Sequence, residues 1–176
     1  MPLPSAVRNH PWRLGAAVVV AILVIAAIFL LRATLIKQPA PEVVFATLSG
    51  QKISLRALRG KVVLVNFWAT SCAPCMHEMP RLAESYRELH ERGLEIVAVA
   101  ASYDPPNSVL NYADTRHLPF PVALDIEDKV AAAFGGLKAV PTTYLVGRDG
   151  RILIRVEGEL EPGELRSMLQ DALAAR

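Results

Sequence analysis

Residues 61–68, KVVLVNFW, form an almost uninterrupted apolar run, and four positions beyond Trp68 begins Cys72-Ala73-Pro74-Cys75, which holds both cysteines of the chain. An apolar stretch without polar alternation is expected of a strand covered on both faces, hence of a central strand in a helix-flanked sheet. After the cysteines, from Pro74 to about Arg92, Met79, Leu82, Ala83, Tyr86 and Leu89 recur at helical spacing, with Glu84, Arg87, Glu88 and Glu91 on the opposite face. Gly93 closes that helix. The cysteine pair therefore sits where a buried strand hands over to a helix.

The flanking segments extend the same pattern. VVFATLSGQKISL (43–55) alternates around a Ser-Gly turn and reads as a short hairpin. LEIVAVAAS (94–102) is a second buried strand, PPNSVLNYADTRH (105–117) a helix opened by prolines, PFPVALD (119–125) a short strand, and EDKVAAAFGG (127–136) a helix closed by glycines. TTYLVGRDGRILIRVEG (142–158) predicts two strands joined at Asp149-Gly150, and EPGELRSMLQDALAAR (161–176) a final helix with Leu165, Met168, Leu169 and Leu173 inward. Such alternation of strands and helices gives an α/β sheet with helices on both faces.

The amino terminus is of a different kind. Residues 14–31 are uncharged, bounded by Arg13 and Arg32, and as a helix would cover about 27 Å, close to a bilayer's hydrocarbon core. A signal peptide is the competing reading, but no small-x-small cleavage site follows; in KQPAPE, which comes nearest, a proline would follow the cut. The expected organisation is a tail over 1–13, an uncleaved membrane anchor over 14–36, a proline-rich spacer over 37–42 and one domain over 43–176. Arg8 and Arg13 nearly balance Arg32 and Lys37, and the short tail favours a cytoplasmic amino end. Setting those four cations aside leaves 15 Lys+Arg against 17 Asp+Glu, a balance that argues against nucleic-acid binding.

A cysteine at a helix amino terminus meets unpaired backbone N–H groups and the positive dipole end, which lower a thiol pKa from about 8.5 into the range of about 3.5 to 7.5. Cys72 is accordingly the expected nucleophile toward a partner's disulfide, and Cys75, one turn along, the cysteine that resolves the mixed disulfide. Ala73 and Pro74 lie between the sulfurs, where dipole and hydrogen bonding tune the redox potential. Alternatives are two structural core cysteines, a zinc site and a copper site. Zinc needs about four ligands, and no second C-x-x-C and no H-x-x-x-H occurs. Copper could take two thiolates with a distant imidazole from His77 or His117, while His10 and His90 join no constellation.

VNFWATSCAPCMHEMP (65–80) and KAVPTTYLVGRDGRIL (138–153), two ordered motifs about 65 residues apart, resemble the membrane-anchored TlpA/ResA-like thiol-disulfide oxidoreductases of the thioredoxin superfamily. The resemblance covers about residues 40–176 and implies a thioredoxin-like α/β fold, a central mixed sheet flanked by helices, with an N-terminal strand hairpin and an inserted helix and strand. It implies that Pro141 is the cis-proline beside the disulfide, that Val140 pairs with a partner's extended chain, and that Pro80 kinks the helix. Thioredoxin itself carries an aspartate at the position of Asn66 and a tryptophan at that of Ser71. Asn66 cannot take a proton, which moves that role to Glu78, three residues past Cys75, where this group often carries a glutamate.

By resemblance the catalytic residues are Cys72, Cys75 and Glu78, the first two as a redox-active disulfide, and substrate is bound by Trp68, Ala73, Pro74, Val140 and Pro141. No metal and no cofactor are expected. The implied activity is reduction of protein disulfides outside the cytoplasm, with cytochrome c maturation or copper-site assembly as pathways. Partners would be protein disulfide substrates, an integral membrane thiol electron donor and the membrane itself through residues 14–36. The expected location is the bacterial cytoplasmic membrane, single-pass, with the domain in the periplasm. A Sco-like copper chaperone is the main alternative, although that group has one more residue between its cysteines. A peroxidase of the peroxiredoxin type would carry threonine where this chain has Ala69.

Overall fold

The structure, a computed structural model, describes residues 19–27 and 37–175. The chain divides into one unit up to Lys37 and a second over Gln38–Arg176. In the first, residues 19–27 are helical; the remainder of the expected anchor over 14–36, and the tail over 1–13, lie outside the described residues. Among the described residues no helix is long and apolar enough to cross a membrane.

The second unit runs β1 (Val44–Ala46), β2 (Lys52–Ser54), β3 (Val62–Trp68), α1 (Ala73–Leu89), β4 (Leu94–Ala100), α2 (Pro106–Thr115), β5 (Val122–Leu124), α3 (Lys129–Ala133), β6 (Thr142–Val146), β7 (Ile152–Glu157) and α4 (Pro162–Ala174). Five strands form one sheet in the order β5-β4-β3-β6-β7. β4 and β5 run parallel to the β3 direction, β6 antiparallel to it, so the sheet is mixed. The hairpin of β1 and β2 forms a separate antiparallel pair. The helix expected over 127–136 is shorter, Lys129–Ala133, because the chain turns through Gly135 and Gly136 at φ of 92° and 81°.

The parity of β3 divides the core. Val62, Leu64 and Trp68 face the side packed by α1, α2 and α4, where they meet Met79, Leu82, Val109, Leu165 and Leu169. Val63, Val65 and Phe67 face the other side, with Phe45, Val130, Phe134 and Tyr144. There Phe67 lies edge-on to both Phe134 and Tyr144, at ring-centroid distances of 5.6 and 6.0 Å. All seven residues of β3 are buried, as its continuous apolar run requires.

Two details correct the expected boundaries. α1 passes into a 3₁₀ turn over His90–Arg92 before Gly93 ends it at φ 97°. The spacer expected over 37–42 does not stand free of the domain. Gln38 accepts from the Ile152 N–H at 2.8 Å and Ala40 donates to the Gly150 carbonyl at 2.9 Å, so Pro39 bridges to Arg151 beside the start of β7. Gln38 and Ala40 use their backbone groups, and the proline between them has no N–H to leave unpaired.

Candidate redox-active site

β3 ends at the same end of the sheet as β4 and β5, and β6 begins there, so four chain segments lie at the end of the sheet that carries the cysteines. The turn after Trp68 closes with the Cys72 N–H on the Ala69 carbonyl at 3.1 Å. Cys72 is the N-cap of α1, and its Sγ accepts the Cys75 N–H at 3.2 Å, one of the amides that helix geometry leaves without a partner. That donor and the helix dipole favour sulfur as thiolate once the pair is reduced.

Cys72 and Cys75 form a disulfide with an S–S distance of 2.07 Å and a Cα separation of 5.3 Å. The two sulfurs are unequal in access. Cys72 is half-buried among exposed Ser71, Ala73 and Pro74, whereas Cys75 is 1% exposed. The Val140–Pro141 peptide is cis, and the Val140 carbonyl oxygen lies 3.5 Å from Cys72 Sγ. Cys72, Ala73, Pro74, Val140 and Pro141 are thus gathered in one place.

Trp68 is not on this surface. It is completely buried and lies against Tyr112, ring centroids 5.3 Å apart and planes tilted by 50°, because its parity on β3 turns it under α2. A core role replaces the expected contact with substrate.

Glu78 lies one turn beyond Cys75 on α1 and is likewise 1% exposed. Asn66, on the α1-facing parity of β3, donates through Nδ2 to Glu78 Oε2 at 3.4 Å and to Thr143 Oγ1 at 2.9 Å. Burial raises the Glu78 carboxyl from 4.5 to about 7, opposed by the Leu160 amide, Asn66 and the Arg81 guanidinium and assisted by the Glu159 carboxylate. Its Oε1 has no hydrogen-bond partner among the described residues. A buried carboxyl that titrates near neutrality, on the same helix face as a buried sulfur, is suited to exchange a proton with it.

Sequence reasoning missed Asp104. Its carboxylate accepts from the Thr70 N–H at 2.7 Å and from Thr70 Oγ1 at 2.6 Å, fastening the loop before Cys72 to the chain that leaves β4. An aspartate before two prolines reads as the start of a helix, and nothing local signals that its partner lies 34 residues back. The ion pair between Arg81 and Glu159 beside Glu78 was equally invisible.

The histidines of the copper alternative are elsewhere. His77 is exposed with Nδ1 3.9 Å from Glu159, and His117 follows α2, whose 10 residues carry the chain about 15 Å from the Asp104 end. Among the described residues no group of three or more His, Cys, Asp or Glu could hold a metal ion.

Comparison with known proteins agrees with this geometry. The AhpC/TSA family model matches residues 36–154. The thiol-disulfide oxidoreductase ResA of Bacillus thuringiensis is 37% identical over 135 residues, 77% of each chain. The chain belongs to the ResA-like thiol-disulfide oxidoreductases. The ResA of Halalkalibacterium halodurans is 40% identical over 116 residues, 66% of this oxidoreductase and 65% of that protein. Among solved structures, a thiol:disulfide interchange protein of the thioredoxin family from Chlorobium tepidum is 27% identical with a TM-score of 0.73, over 79% of this chain and 98% of that one. The oxidoreductase therefore has the thioredoxin-like fold, and its redox chemistry is disulfide exchange at a Cys-x-x-Cys pair.

Proposed function

We propose that this oxidoreductase is a membrane-tethered reductase of protein disulfides, with Cys72 as nucleophile, Cys75 as resolving cysteine and Glu78 as proton acceptor. The unequal exposure of the two sulfurs carries the assignment: only Cys72 can be reached by a large partner. Its thiolate attacks one sulfur of the substrate disulfide, releasing the other as a thiolate that takes up a proton. Cys75 passes its proton to Glu78 and attacks Cys72 Sγ, freeing the second substrate thiol and leaving the Cys72–Cys75 disulfide. A membrane dithiol donor then exchanges with the Cys72–Cys75 disulfide, giving up two electrons and two protons and becoming a disulfide itself, and so restores the dithiol.

The uncharged run over 14–31 supports an anchor, and the bacterial ResA relatives, thiol-disulfide oxidoreductases, support disulfide exchange as the chemistry. Reduction has a purpose where disulfides otherwise persist, and the haem-binding cysteines of apocytochrome c or copper-site cysteines are substrate classes that need it. With Cys75→Ser, mixed disulfides between Cys72 and substrates accumulate on non-reducing gels, while Cys72→Ser traps none. Equal behaviour of the two variants would overturn the roles. A potential near −270 mV is expected for a reductase, and one near −120 mV, the range of strong oxidants, would reverse the direction.

A further inference from the structure

Outside residues 19–27, the exposed large apolar side chains among the described residues are Val44, Tyr103, Leu110, Ile126 and Ile154. The two most exposed, Tyr103 at 66% and Ile126 at 68%, both lie at the sheet edge that carries the disulfide. Tyr103 sits in the loop after β4 and Ile126 in the loop after β5, while Cys72 sits in the loop after β3. These strands are parallel neighbours, so the three loops emerge side by side.

The loops are also joined to one another. Asp104, next to Tyr103, holds Thr70 of the cysteine loop through two hydrogen bonds. Ser102, on its other side, donates through Oγ to Asp128 Oδ1 of the Ile126 loop at 3.4 Å. Tyr103 and Ile126 are thereby fixed relative to Cys72 rather than carried on independent loops. Scattered single apolar side chains on a surface carry no meaning, but this pair lies in the two loops that neighbour the Cys72 loop, at the end of the sheet where a substrate disulfide must dock.

We infer that Tyr103 and Ile126 form a docking rim for the polypeptide flanking the attacked disulfide, and that its occupant is an extended substrate segment with apolar side chains close to its cysteine. The inference rests on Cys72 being the attacked sulfur. Strand spacing sets the register: the ends of β4 and β5 lie about 5 and 10 Å from that of β3, and an extended chain advances about 3.3 Å per residue. The rim therefore reads side chains about two and three residues from the substrate cysteine. An aromatic ring and a branched aliphatic chain present apolar area there, with no cation or anion of their own to select charge.

The test uses the full chain in detergent micelles, reduced beforehand, in single-turnover reactions with three disulfides. One is the disulfide dimer of a single-cysteine peptide with leucines two and three residues to either side, the second the same dimer with serines, and the third oxidised glutathione. The leucine dimer is expected to react about tenfold faster than the serine dimer, as burial of one or two apolar side chains allows. In Tyr103→Ser/Ile126→Ser, whose changed side chains are solvent-exposed, the leucine dimer should slow to the serine rate while the other two disulfides keep their rates. Equal rates for both dimers, or a double variant that slows glutathione as much as the leucine dimer, would overturn the rim and leave the role of Cys72 standing. A chain that reduces none of the three overturns the nucleophile assignment and the rim with it.

Discussion

At the scale of single residues, Glu78 links stability to pH in the sense opposite to a salt-bridged acid. It ionises at about 7 in the fold and near 4.5 in the unfolded chain, so between these values the unfolded state gives up a proton that the native state keeps. Stability falls as pH rises through that window, by about 3 kcal/mol in total, and is constant above it. Glu78→Gln should match the wild type at pH 4 and exceed it by up to about 3 kcal/mol at pH 8, in urea titrations of the oxidised protein. The same variant should slow mixed-disulfide resolution about 100-fold and abolish its rise between about pH 6 and 8, followed by stopped flow. Asp104 acts through structure. Asp104→Ala leaves the Thr70 amide and hydroxyl without their acceptor and should cost about 2–3 kcal/mol in the same titrations.

At the scale of elements, β3 and its two neighbours set the site, and the tight packing on both faces sets the cost of disturbing them. Phe67→Ala removes a ring held between Phe134 and Tyr144 and should destabilise by about 3–5 kcal/mol. Gly93→Ala at φ 97° adds a methyl 3.1 Å from Arg148 Nη1 and should cost about 1–2 kcal/mol in thermal melts. Periodicity alone revealed β3, α1 and the cysteine position, because apolar runs and helical spacing are local. It also aligned Glu78 with Cys75, one turn apart on α1. What it could not supply was which parity of β3 faces α1. That choice sets Trp68 against Tyr112 and brings Asn66 to Glu78, and it is decided by where the later helices pack. Asp104 and Thr70 meet only because β4 pairs in register beside β3, Trp68 opposite Ala100, a fact absent from either segment alone. The shortness of α3 against the helix expected over 127–136 has a local cause: three alanines favour helix, but Gly135 and Gly136 at positive φ stop it early.

At the scale of the whole molecule, the proline-rich segment changes what counts as the domain. A chain beginning at Gln38 keeps both backbone hydrogen bonds beside β7, whereas one beginning at Val43 loses them. The second should melt several degrees below the first, by about 1–2 kcal/mol, with disulfide exchange unchanged. The helix and strand inserted between β4 and β6 change what counts as the active site. Its first carboxylate, Asp104, fastens the loop that precedes the nucleophile, so the insert cannot be trimmed as ornament. Nor is the redox pair portable. Grafting Ser-Cys-Ala-Pro-Cys onto a scaffold with no carboxylate after the neighbouring strand would carry over the two sulfurs and leave behind the anchorage that aims the first of them. For protein engineering, a transferable cassette must contain at least two adjacent parallel strands with both of their outgoing loops.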